Sequence, residues 1–117
     1  MSQPAMDANA FAEMKELMGT AFLEIISMCL QTLPEQLLQV ETAIQSQDAE
    51  ALFNTTHKMK SSCGSIGAFG LAEKIEVVEL ISRDGSTEIP EHAYNDMLSD
   101  AQRVIATLTA ELNKGSA

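Results

Sequence analysis

The sequence has few cysteines and no long uninterrupted run of apolar residues. Cys29 and Cys63 lie far apart and form no CxxC pair, which is typical of free thiols in a reducing compartment and argues against a disulfide framework or a cysteine zinc site. The most apolar stretch, residues 21–30, is interrupted by Glu24 and is shorter than the ~20 residues that a bilayer requires. The first seven residues lack the basic region of a secretory signal. We therefore expect a cytoplasmic protein with no membrane contact.

Basic residues are also scarce, and their distribution is uneven. The chain has 7 Lys and Arg against 17 Asp and Glu, a net charge of −10, which argues against a nucleic-acid partner because such recognition depends on Lys and Arg. Residues 51–72 contain no acid but include His57, Lys58 and Lys60. This window carries +2, and the rest of the chain therefore carries −10 − 2 = −12. We interpret the gap as a site that tolerates or attracts a negative group.

Glycine and proline are scarce as well, at 6 and 3 residues, and no alternating run of strand length occurs. Met, Leu, Ala, Glu and Gln are abundant, which favours helix. The apolar spacing predicts five helices, at about residues 7–18, 20–46, 48–64, 68–83 and 90–114. Asp7 and Asp48 are expected N-caps, and Gly19 is expected to end the first helix. Pro34 is expected to kink the second helix without ending it, because the apolar stripe keeps its phase across the proline.

These helices predict an all-α fold, an antiparallel four-helix bundle with a short additional N-terminal helix. The length of 117 residues fits a single domain. Within it, residues 1–6 and 114–117 are expected to fray. Gly64, Gly67 and Gly70 are expected to crowd the turn between the third and fourth helices.

His57 is the strongest candidate for a functional side chain. At about 100° per residue it lies near 200° from Met59, which belongs to the apolar stripe of its helix, so the imidazole is expected to face solvent. That stripe comprises Leu52, Thr55 or Thr56, Met59, Ser62 or Cys63, and Ile66. Within about 60° of His57 lie Phe53, Asn54, Lys60, Ser61 and Gly64. The alternatives are an ordinary surface histidine and, for Gly64, a plain helix-ending glycine.

The segment around His57 resembles the signature of histidine-phosphotransfer (HPt) domains. The matching residues are His57-Lys58-Met59-Lys60-Ser61-Ser62-Cys63-Gly64-Ser65-Ile66-Gly67-Ala68, followed by Leu71, Ile75, Val78 and Glu79. In that family an apolar residue lies two places after the histidine and a lysine three places after it. Small residues come next, and a Gly-Ala-like pair lies about ten places on. Many members have glycine directly after the lysine, where this chain has Ser61, and we interpret this difference as an altered fit to the partner.

The resemblance implies a phosphorelay intermediate that accepts a phosphoryl group on His57 and transfers it to or from the aspartate of a receiver domain. Lys60 would offset the charge of the phosphoryl oxygens, and it is expected to affect stability little because it lies on the exposed face. The residues expected to contact the partner are Phe53, Asn54, Lys58, Ser61 and Gly64. Of these, Lys58 is expected to be a peripheral steering charge.

The resemblance also implies the partners and the metal requirement. Expected partners are a response-regulator receiver domain, a hybrid sensor histidine kinase, or both. The receiver would supply Mg²⁺, whereas this chain is expected to need no cofactor or metal of its own and to be a monomer. No loop of the GxxxxGKS/T type is present. We therefore expect a phosphocarrier without kinase activity, and not an enzyme.

Two other functions remain as alternatives. One is a non-catalytic helical adaptor that docks a signalling partner without phosphotransfer, although binding alone does not need the imidazole of His57. The other is the dimerisation helix of a histidine kinase, which typically has an acidic residue directly after the histidine, where this chain has Lys58. The second histidine, His92, lies beside Glu91 at a predicted helix start and is a weak candidate for phosphorylation.

Overall fold

A computed structural model describes the backbone of residues 3–116 and the side chains of residues 3–114. Its helices are α1 (Ala8–Met18), α2 (Phe22–Gln45), α3 (Ala49–Ser65), α4 (Phe69–Arg83) and α5 (Glu91–Ser116), with a single 3-10 turn at Gly19–Ala21. Helices α2 to α5 form a bundle in which α3 and α5 each pack against both α2 and α4. The predicted all-α bundle with a short additional N-terminal helix is confirmed. Helix α5 continues past residue 114, where fraying was expected, and Ala117 lies outside the described residues.

The helix starts follow from the capping residues. Asp7 Oδ1 accepts a hydrogen bond from the backbone N–H of Ala10 at 3.0 Å, and Asp48 Oδ1 accepts one from Ala51 at 3.0 Å. Each carboxylate satisfies a donor that the first turn of a helix leaves unpaired. Helix α2 continues through Pro34, so the prediction of one helix across the proline is confirmed.

Gly70 lies in the first turn of α4 and not, as expected, in the turn before it. Its backbone N–H donates to the carbonyl of Pro4 at 3.1 Å, and the following N–H donates to the carbonyl of Ala5 at 3.3 Å. These carbonyls satisfy donors at a helix start that has no side-chain cap. Within residues 1–6, where fraying is predicted, Pro4 and Ala5 thus make backbone hydrogen bonds to α4, whereas residues 1 and 2 lie outside the described residues. A Cβ at Gly70 would overlap the Pro4 carbonyl.

The core lies between the four bundle helices. The largest fully buried apolar side chains are Ile26, Val40, Leu52, Met59, Leu71, Ile75, Val78, Met97, Val104 and Leu108. On α3 the structure selects Thr56 and Cys63 from the alternatives that the sequence left open. Burial raises the pKa of the Cys63 thiol to about 12 and also raises the pKa of Cys29. Both free thiols are therefore protonated at neutral pH.

Residues 8–45 include a stretch that is long and apolar enough to cross a membrane by length and composition alone. This stretch is longer than the apolar segment 21–30 that stands out in the sequence. In the structure Gly19, with a φ of 54°, separates α1 from α2, and α2 buries one side of its apolar residues in the bundle. These buried residues are Phe22, Ile26, Leu33, Val40 and Ala43. We therefore interpret the stretch as a helix of the bundle core.

Candidate functional site

His57 lies in the middle of α3, on the face opposite the buried stripe. Its side chain is 63% exposed, whereas Met59, two residues further on, is fully buried. The ring stacks on Phe53 one turn earlier, with centroids 5.6 Å apart and an interplanar angle of 20°. The helical register therefore places the imidazole in solvent, as the sequence predicts, and Phe53 supports it from one side.

Glu79 of α4 places a buried carboxylate between His57 and Lys60. Its Oε2 lies 2.7 Å from His57 Nδ1, and its Oε1 accepts a hydrogen bond from Lys60 Nζ at 2.6 Å. The Glu79 side chain is only 5% exposed, because it lies between α3 and α4. One carboxylate therefore holds both a ring nitrogen of the histidine and the neighbouring ammonium.

Glu79 was not expected from the sequence to contact His57, although it belongs to the segment that resembles the family signature. The packing of α4 on α3 brings in an acid from outside the 51–72 window. A signal for this contact was available, because Glu79 belongs to the buried stripe of α4, one turn after Ile75. Glutamate is almost never fully buried unless it is paired. Its position in the stripe therefore predicts a cationic partner on a facing helix.

The carboxylate of Glu79 and the ammonium of Lys60 hold each other in their charged forms. Burial raises the pKa of Glu79, but hydrogen bonds from Lys60 and His57 lower it by more, so this pKa lies below its ordinary value. The hydrogen bond to Glu79 raises the pKa of Lys60, against an opposing effect of desolvation. Both groups are therefore ionised at neutral pH.

The ionised carboxylate of Glu79 determines which ring nitrogen of His57 carries the proton. A carboxylate without a proton only accepts hydrogen bonds, so Nδ1 must carry the proton and donate it to Glu79 Oε2. The lone pair of the neutral imidazole then lies on Nε2, on the other side of the ring. The same contact between a carboxylate and one imidazole nitrogen orients the general base of serine proteases. In this chain it leaves Nε2 as the ring nitrogen with a free lone pair.

The residues predicted to contact a partner lie around His57, and we call them together with His57 the histidine face. They are Phe53, Asn54, Lys58, Ser61 and Gly64. Asn54, Lys58 and Ser61 are exposed, while Phe53 and Gly64 are partly buried. A Cβ added to Gly64 would meet no atom within 4 Å. The histidine face is therefore open at Gly64.

His92 has a different setting from His57. It is exposed in the first turn of α5, beside Glu91. Within residues 3–114, no group of three or more His, Cys, Asp or Glu side chains is placed to hold a metal ion. The contact with a buried carboxylate therefore distinguishes the ring of His57 from that of His92.

Lys60 is expected to contribute to stability, contrary to the expectation from sequence, because its ammonium neutralises a buried carboxylate. A Lys60→Ala variant should melt at a lower temperature than the wild type at pH 7. Because the pKa of Glu79 is lowered in the folded state, this stabilisation is fully present above about pH 4.5 and is lost as the pH falls through the folded-state pKa. Thermal melts of both proteins between pH 7 and pH 3 measure the difference.

Lys58→Ala is the matched control, because Lys58 is an exposed lysine of the same helix. Its melting temperature should equal that of the wild type at every pH. An unchanged melting temperature for Lys60→Ala at pH 7 would contradict the stabilising role of the ion pair.

Known proteins match this chain both in sequence family and in fold. The family model of the Hpt domain matches residues 24–114. The crystal structure of histidine-containing phosphotransfer protein B (HptB) from Pseudomonas aeruginosa PAO1 superposes with a TM-score of 0.87 at 24% identity, over 97% of this chain and 98% of that one. The HPT domain of the Hpt sensor hybrid histidine kinase from Shewanella gives a TM-score of 0.79 at 19% identity, over 97% of each chain. A search of curated proteins found no significant match.

Proposed function

The chain belongs to the Hpt domain family, whose members typically shuttle phosphoryl groups in phosphorelays, and we propose that it exchanges a phosphoryl group between His57 and the aspartate of a receiver domain. The observation that carries this proposal is the exposed imidazole whose Nδ1 lies 2.7 Å from the buried Glu79 carboxylate. This contact leaves Nε2 as the reactive nitrogen.

The tautomer of His57 suits transfer in both directions. In the accepting direction, the lone pair of Nε2 attacks the phosphorus of an aspartyl phosphate, the N–P bond forms, and the P–O bond breaks as the partner's carboxylate leaves. Nδ1 keeps its proton, so the product is a phosphorylated imidazolium whose positive charge lies beside Glu79. In the donating direction the leaving group is a neutral imidazole. No proton has to move in either direction.

Lys60 supplies a positive charge beside the transferred group. It lies one turn from His57, and its hydrogen bond to Glu79 fixes the position of its ammonium. The lysine side chain is 33% exposed, and an ammonium has three donors, so donors remain for phosphoryl oxygens. We expect the Mg²⁺ that assists the reaction to be bound by the receiver, which also provides the aspartate.

Glu79→Ala should lower the rate at which His57 accepts a phosphoryl group by about tenfold, which corresponds to roughly the lower end of the 1.5–3 kcal/mol of a hydrogen bond to a charged group. Without the carboxylate, neither ring nitrogen is selected to carry the proton, and the imidazolium charge is no longer offset. Nitrogen chemical shifts of the ring measure the first effect. The wild type should show the Nδ1–H tautomer, and the variant should show a mixture of both.

Glu76→Ala serves as the control, because Glu76 is an exposed acid on the same helix that leaves the contact between Glu79 and His57 in place. It should keep the wild-type tautomer, and its rate of transfer should not fall below that of the wild type. A Glu79→Ala protein with an unchanged tautomer and an unchanged rate would remove Glu79 from the mechanism.

The proposed partners are a response-regulator receiver domain, a hybrid sensor histidine kinase, or both, and the proposed setting is the cytoplasm. In this proposal the chain acts as a monomeric phosphocarrier that depends on another protein to draw phosphate from ATP. Its sequence has no GxxxxGKS/T loop, which supports this dependence.

Incubation with a panel of receiver domains that carry labelled phosphoryl groups tests the proposed function. Label should move from at least one receiver to this chain, and from the labelled chain back to the unlabelled receiver. A chain that binds a receiver but never takes up label would be an adaptor, and that result would contradict phosphotransfer.

A further inference from the structure

Basic side chains in this structure are paired with acids, with two exceptions. The ion pairs are Lys15 and Lys114 with Glu111, Lys74 and Arg103 with Asp100, and Lys60 with Glu79. Of the seven Lys and Arg residues in the chain, only Lys58 and Arg83 lack an ion pair within the described residues. Two unpaired cations are notable in a chain with a net charge of −10, because acids are available in excess.

Both unpaired cations lie beside the histidine. Lys58 follows His57 directly on α3 and is exposed. Arg83 is also exposed and lies one turn after Glu79 on α4. Because the adjacent helices α3 and α4 run antiparallel across a three-residue connection, Arg83 lies toward Phe53, which stacks on the imidazole. Lys58 therefore lies on the α3 side of the imidazole, and Arg83 lies on its α4 side.

The other charges near the ring largely cancel. Glu79 matches the charge of Lys60 through a direct hydrogen bond. Arg83 lowers and Glu76 raises the pKa of Lys60 through space, so both are within electrostatic reach of it. Within about one turn of the ring, counting Lys58 and Arg83 against Glu76 leaves +1, whereas the exposed Glu50 lies two turns before His57 on the same side of α3. The rest of the chain is strongly acidic.

We propose that Lys58 and Arg83 are two cationic docking residues that bind acidic side chains around the reactive aspartate of the receiver. This inference rests on the proposed function and names the surface chemistry of its partner. A receiver binds Mg²⁺ through one or two carboxylates in addition to its reactive aspartate, so acidic side chains lie on the surface that approaches His57. Arg83 also provides planar N–H donors that match a carboxylate in two-point contact.

The two cations overcome a general repulsion between the proteins. At physiological ionic strength the Debye length is about 8 Å, so the distant acids of this chain are screened while charges at the contact are not. Complementary charges at a contact raise the association rate and suppress unsuitable orientations. An acidic receiver is therefore attracted at the histidine face and repelled elsewhere.

The test uses the fastest receiver from the labelled panel, phosphorylated with acetyl phosphate, and follows the second-order rate of transfer to this chain. Lys58→Glu and Arg83→Glu should each lower that rate about tenfold at 25 mM NaCl. Arg83→Gln, which removes the charge without reversing it, should lower it about threefold. The differences from the wild type should shrink as NaCl is raised to 500 mM.

Lys114→Glu is the control for net charge. It changes the charge of the chain by the same amount on an exposed side chain of α5, and it should transfer at the wild-type rate. Thermal melts show whether each variant is folded. Equal rates for the Lys58, Arg83 and Lys114 variants would overturn the inference, and so would differences in rate that do not depend on salt. Neither result would affect the proposed function, provided that the wild type still takes up label. Failure of the wild type to take up label would instead overturn the proposed function.

Discussion

Replacing Gly64 by glutamine is expected to leave the bundle at least as stable as the wild type and to lower phosphoryl transfer by about a hundredfold. Gly64 lies two turns after His57, within about 20° of it around the helix axis and about 10 Å further along. The partner must bring its aspartate to Nε2, so its backbone must pass over this part of the histidine face. A misplacement of about 1 Å at a reacting centre costs about a hundredfold in rate.

A substitution at Gly64 can weaken docking without destabilising the bundle, because the backbone of Gly64 has a helical conformation. The residue lies in the last turn of α3 and is not among the glycines with positive φ, which are Gly19, Gly67 and Gly85. A Cβ added there meets no atom within 4 Å, and glycine is less favourable than alanine in a helix by up to about 1 kcal/mol. A substitution should therefore stabilise α3 slightly. The loss of transfer cannot then be attributed to unfolding.

Gly64→Ala is the matched control, because its single methyl group adds little height to the surface. It should melt at or above the wild-type temperature and transfer within a few-fold of the wild-type rate. Circular dichroism, thermal melts and the labelled transfer assay measure the three proteins side by side. Normal transfer by a folded Gly64→Gln variant would show that the partner docks elsewhere, and the histidine face would have to be redrawn.

The helices could be predicted from the sequence because their signals are local. Asp7 and Asp48 each accept a hydrogen bond from the backbone three residues on, and that pattern depends only on neighbouring residues. The phase of the apolar stripe likewise indicated that α2 continues through Pro34. The exposure of His57 followed from the same periodicity, since Met59 is buried on the opposite face.

The contacts between distant segments could not be predicted in the same way. The carbonyl of Pro4 accepts a hydrogen bond from Gly70, 66 residues later, and nothing local to either residue specifies that pairing. Glu79 and His57 are 22 residues apart, and their contact depends on how α4 is rotated against α3. Only the position of Glu79 in a buried stripe indicated a partner, and it did not indicate which one.

His57→Gln should abolish phosphoryl uptake without unfolding the protein. Glutamine has no ring nitrogen that can form an N–P bond, so the acceptor is removed completely. The side chain at this position is 63% exposed, and substitutions at exposed positions usually change stability by about 0.5 kcal/mol or less. The glutamine amide can also donate to the Glu79 carboxylate. The variant should therefore keep its helical content.

His92→Gln is the matched control for this substitution. It removes the other histidine of the chain, which is exposed at the start of α5. The same assay applies to both variants, so any phosphorylation that does not require His57 becomes visible. His92→Gln should behave as the wild type does.

The most direct measurement is the intact mass of the wild type, His57→Gln and His92→Gln after incubation with a phosphorylated receiver. The wild type and His92→Gln should each gain the mass of one phosphoryl group, and brief acid treatment should remove it. His57→Gln should gain nothing. An acid-labile phosphoryl group on His57→Gln, or its loss in His92→Gln, would contradict the assignment of His57 as the phosphoacceptor.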